Sequence, residues 1–176
     1  MKTSKLKEKK LKVYVITLSK NYQVGHPKAE QPTFFKYKFL NMVFDYPCSV
    51  IEANDGPDIV IEDRKGHTIR KNFELWKKRI DEVIEGKAVL SVREWTGKPY
   101  NSPQVEIALL TAKDGVGIQK LEATPLGWFI DSYDSDVTNE ILAKNDGLSL
   151  EDFKAWFKNY KITEPMAIIH FTNFRY

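Results

Sequence analysis

The chain has 176 residues, 42% hydrophobic and 29% charged, with a net charge of +3. That length fits one domain with an ordinary core, and no apolar run reaches the roughly 18 residues needed to cross a bilayer. A single cysteine, Cys48, excludes an internal disulfide. The three histidines, His26, His67 and His170, stand far apart without Cys-x-x-Cys or His-Glu-x-x-His spacing, so neither a metal site nor a cofactor is expected. The expected setting is the reducing cytoplasm, since the N-terminus lacks the long apolar stretch of a signal peptide.

Residues 1–11 read as a basic flexible tail ahead of a single domain over 12–176. The six lysines and one glutamate of the first twelve residues carry +5, so the remaining chain is mildly acidic at −2. A tail this short suits a frayed, solubilising terminus better than a nucleic-acid anchor.

Lys12–Leu18 is rich in β-branched and aromatic residues and predicts the first strand. Residues 21–32 hold Pro, Gly and Asn and predict a loop, and the apolar stretch 33–42 predicts a helix packed on the core. Residues 43–63 carry Pro47, Asn54, Gly56 and Pro57 and read as an insertion, a hairpin turning at Asp55-Gly56. Phe73, Trp76, Ile80, Val83 and Ile84 then recur at helical spacing, with Asn72 as the cap and Gly86 as the stop. Strands are predicted at Ala88–Trp95, 105–111, 118–123 and 128–131. A short helix at 137–144 has Asp136 as its expected cap. Ser149 followed by Asp152 is a capping-box signature for a helix burying Phe153, Trp156 and Phe157. Residues 166–174 predict a closing strand in which His170 is a satisfied core histidine. Short strands flanked by helices predict an α+β domain built as a small, partly closed β-barrel.

The stretch Lys65-Gly66-His67-Thr68-Ile69-Arg70 is the best candidate ligand site. In an unbroken strand Lys65 and Thr68 would face opposite ways, so they cooperate only if the chain turns at Lys65-Gly66. A lysine beside a hydroxyl is a way of activating a nucleophile, and Arg70 offers a planar fork for phosphate, carboxylate or carbonyl. An ordinary turn and strand with solvated charges is the competing reading. A second candidate is Trp95-Thr-Gly-Lys-Pro-Tyr100, whose two aromatics either sandwich a base or belong to a hairpin with Trp95 packed on the core. No Walker loop or Gly-x-Gly-x-x-Gly helix entry is present, which removes support for nucleoside triphosphate chemistry.

Phe34-Phe35, Lys65-x-x-Thr68-Ile69-Arg70, the Gly86-Lys-Ala-Val-Leu-Ser-Val strand entry and Asn145-Asp146-Gly147-Leu148-Ser149 together resemble an ASCH domain. The resemblance covers most of residues 33–176 outside the insertion, and Gly25-His26-Pro27 looks like a longer bacterial and phage branch. It implies a PUA-like fold that binds RNA or a modified nucleoside in the cleft holding the signature. The candidate ligand contacts are Arg70, His67, Trp95 and Tyr100. The chain is distantly similar to the acetylcytidine amidohydrolases, which remove an acetyl group from an exocyclic nitrogen. That branch implies Lys65, Thr68 and Asp146 as catalytic residues, aspartate here standing where the family has glutamate. A protein-interaction scaffold is a third possibility. Each of these assigns a soluble partner and no membrane.

Overall fold

The computed structural model describes residues 11–45, 48–50, 59–124, 127–134, 136–159 and 163–176. The basic tail and the Asp55-Gly56 turn lie outside the described residues. In chain order the elements are β1 (Lys12–Leu18), α1 (Phe35–Phe44), β2 (Cys48–Val50), β3 (Ile59–Ile61), β4 (His67–Arg70), α2 (Phe73–Ile84), β5 (Ala88–Trp95) and β6 (Gln104–Leu110). They continue with β7 (Gly117–Thr124), β8 (Gly127–Ile130), β9 (Tyr133–Asp134), α3 (Asn139–Asn145), α4 (Leu150–Phe157) and β10 (Met166–His170).

The fold is α+β. Its strands make three ladders, ordered β1-β5-β6, β4-β10-β7-β8-β9 and β2-β3. No ladder among the described strands closes these sheets into a barrel. β1 and β5 run parallel, which places the β1 end at Leu18 beside Glu94 and so beside the start of the β5–β6 hairpin loop. The antiparallel β2–β3 pair forms the arms of the hairpin expected in the insertion. Among the described residues, no helix is long and apolar enough to cross a membrane.

α2 joins the two larger sheets by lying against β5, β7 and β10. Its fully buried Ile80 and Val83, the apolar stripe that helical periodicity produces, share one core cluster with the equally buried Leu90, Val92, Leu121 and Ile168. The Asn72 side chain accepts from the Leu75 amide, and Gly86 takes the left-handed φ of +69° that ends the helix.

Three expectations need correction. α3 is capped by Thr138, whose hydroxyl accepts from the Ile141 amide, and not by Asp136. Ser149 does cap α4, but the Asp152 carboxylate goes to Tyr22 and Lys28, tying the N-terminal loop to the helix. The last strand stops at His170, where its partner β4 also begins. Only the Phe171 amide continues the pairing, to the Gly66 carbonyl.

Candidate functional site

β4 starts at His67, so Lys65 and Gly66 precede it and are not bound by strand alternation. Three backbone bonds fix this entry: Lys65 N–H to the Lys38 carbonyl (2.9 Å), Gly66 N–H to the Asn145 carbonyl (2.8 Å) and Phe171 N–H to the Gly66 carbonyl (3.0 Å). The side chains of Lys65, Thr68 and Arg70 consequently line one cleft, together with Asp146 from the loop after α3. Gly66 works differently from the turn residue expected of it, because it is not among the positive-φ glycines. It supplies closeness instead: a Cβ there would sit 3.3 Å from the Met42 methyl.

Lys65 is 1% exposed. Its ammonium donates to Asp146 Oδ1 at 2.5 Å and to the Asp146 carbonyl at 2.6 Å, and lies 4.0 Å from the centre of the Phe35 ring. Burial lowers its pKa to about 8, partly opposed by the Asp146 carboxylate, while Arg70 and Lys38 push in the same direction as burial. Burial likewise raises Asp146, opposed by Lys65. Both partners are therefore drawn toward their neutral forms.

Arg70 donates to the Thr17 carbonyl at 2.6 Å, which aims its guanidinium at the end of β1. Lys38 donates to the Gly147 carbonyl at 2.9 Å and lies 3.3 Å from Asp63, forming a second cationic support behind Lys65. Thr68 is 4% exposed. Lys65 gives its hydrogen bonds to Asp146 and none to Thr68. Phe35, Trp156 and Phe157 supply the aromatic part of the lining, completed by Leu18 and Ser19. The cleft volume open to the centre of a water molecule is about 10 Å³, roughly one water.

His67 lies outside this cleft. Strand alternation sends it to the opposite face from Thr68 and Arg70, where its Nε2 is 2.7 Å from the Tyr176 hydroxyl, which also accepts from Asn145. Its Nδ1 stands 3.9 Å from Asp146 Oδ1 and has no hydrogen-bond partner. His170 packs against it with ring centres 5.7 Å apart. His170 is buried as expected but not satisfied, since neither ring nitrogen has a hydrogen-bond partner. Burial pushes both imidazoles well down, His170 to about 3. The pair therefore stays neutral inside the domain at neutral pH.

Trp95 and Tyr100 are also outside the cleft lining, at the β5–β6 hairpin tip, with ring centres 5.4 Å apart. Sequence reading placed Trp156 and Phe157 only in the core and passed over Lys38. Both aromatics are partly exposed and line the cleft from α4, a placement that helical periodicity alone does not reveal. Among the described residues no group of three or more His, Cys, Asp or Glu side chains gathers as a metal site. No family model, curated protein or solved structure matches this chain.

Proposed function

We propose that this is a PUA-like, ASCH-type domain that binds RNA or a modified nucleoside at the Lys65–Thr68–Arg70 cleft. The observation that carries the reading is the convergence of those three residues, read from one short sequence element, on a cleft walled by Phe35, Trp156 and Phe157. Aromatic rings suit the flat face of a base, and a guanidinium suits phosphate or a base edge. A volume of about one water admits a single carbonyl oxygen or amino group, with the base itself held outside it. Calorimetric titration with cytidine, N(4)-acetylcytidine and a short RNA tests the reading. Binding to any of them that Arg70→Ala weakens supports it; no binding to all three removes it.

Hydrolysis is the second reading, favoured by one observation: a buried lysine with a lowered pKa shares a cleft with a threonine hydroxyl and an acid. Neutral Lys65 would take the Thr68 proton as the hydroxyl oxygen attacks the amide carbonyl. The ammonium then returns a proton to the departing exocyclic amine, and water releases acetate from the acyl-threonine. The hydroxyl must first come within hydrogen-bond reach of Lys65. Acetate release from N(4)-acetylcytidine that Thr68→Ala abolishes supports this route, and binding without turnover leaves the binding module.

A further inference from the structure

The β5–β6 hairpin tip is built as a fixed platform. Thr96 N–H and its hydroxyl both donate to the Pro103 carbonyl, at 2.9 and 3.0 Å. Gly97 N–H donates to the Ser102 hydroxyl, which itself donates to the Lys98 carbonyl. On this pinned loop Tyr100 takes a left-handed φ of +64° yet remains 89% exposed. Left-handed backbone is unfavourable for a non-glycine residue, and a ring left in water offsets little of that through burial. The Trp95 ring stands beside it at a 52° tilt, so the two rings do not stack on each other and Tyr100 keeps an open face.

The tip is tied to the cleft through the end of β1. Thr17 gives its carbonyl to Arg70 and its hydroxyl to Gln104 Nε2, at 2.6 and 3.2 Å. Ser19 lines the cleft, and its neighbour Lys20 reaches the Thr96 carbonyl at 3.5 Å. Lys20, next to cleft-lining Ser19, and Lys98, within the tip loop, are both exposed. Two strand spacings separate β1 from β6, roughly 10 Å, so a ligand that touches both cleft and tip must be extended.

We infer that the Trp95–Tyr100 tip is a base-stacking subsite continuous with the Arg70 cleft, so that the ligand is a single-stranded nucleic acid segment several nucleotides long. The inference rests on the nucleic-acid reading above. A duplex hides its base faces within its own stack, whereas unpaired bases offer them to an exposed ring. These exposed lysines meet phosphates, which makes binding salt-dependent.

Fluorescence anisotropy on the full chain tests it, with labelled RNA of one, three and six nucleotides and a six-base-pair duplex. Wild type should gain affinity with length on single strands and bind the duplex more weakly. Tyr100→Asn keeps a residue that tolerates left-handed backbone and removes the ring; the gain on lengthening should fall by about fivefold or more, while Tyr100→Phe retains it. An undiminished length gain in Tyr100→Asn, its loss in Tyr100→Phe, or duplex binding equal to single strand overturns the subsite. Arg70-dependent binding of the single nucleotide would then still stand for the cleft. A protein partner captured through Tyr100, with no length gain on RNA, overturns the inference in favour of a protein contact. No binding at any length removes both readings.

Discussion

Lys65 and Asp146, 81 residues apart in sequence, are joined twice, through the carboxylate at 2.5 Å and the main-chain carbonyl at 2.6 Å. Both are buried, so removing one leaves the other charge without compensation in a low-dielectric site. Lys65→Met and Asp146→Leu should each lower stability by about 3–5 kcal/mol, and the double variant should recover much of the loss. Urea denaturation of the four proteins measures this. Strictly additive losses would show that the two do not act as a pair.

The same burial sets a pH signature. Folded Lys65 titrates at about 8, against 10.5 for the free side chain. Between those values the unfolded chain binds more protons, so this group's contribution to stability rises with pH across that window. Wild type should therefore gain on Lys65→Met between pH 8 and 10. Nitrogen-detected NMR of the lysine side chains gives a direct reading. Asp146→Asn should move the Lys65 titration lower still, because the carboxylate that favours the ammonium is gone.

The histidine pair predicts acid lability. His170 titrates near 3 when folded against 6.5 unfolded, and His67 also lies well below its ordinary value. The unfolded state binds more protons below 6.5, so stability falls as pH falls, by about 1.4 kcal/mol per pH unit for each neutral imidazole. His170→Leu loses no hydrogen bond, since neither nitrogen has a partner. Denaturation midpoints from pH 7 to 4.5 should fall less steeply in that variant, and an unchanged slope would assign the lability elsewhere.

Gly147 carries the site from behind. It has a φ of +73°, and a Cβ there would meet the Lys65 Cβ at 3.2 Å and the Lys38 Cδ at 3.3 Å. Gly147→Ala should cost about 1–2 kcal/mol in backbone strain and should also shift the Lys65 side-chain resonance. Gly25→Ala is the matched comparison, since φ there is +92° and nothing lies within 4 Å of the added methyl. Its strain should be similar while the Lys65 resonance stays in place.

Sequence alone determined the features that local chemistry governs. The β1 and β5 strands, the Asn72 and Gly86 ends of α2 and the Ser149 cap follow from side-chain branching, helical periodicity and turn residues acting within a few positions. The grouping of Lys65, Thr68 and Arg70 was legible for the same reason, as all lie within six residues. What only the tertiary structure decided depends on distant segments packing together. Tyr176, 109 residues further along the chain, meets His67 on the face away from the cleft. The α3–α4 loop brought Asp146 under Lys65, and excluding water there lowered the lysine pKa, a property of the assembled surroundings. Burial also left His170 without hydrogen bonds. That too depends on its distant neighbours, because alternation in a strand marks which side chain points inward but not which polar groups will meet it there.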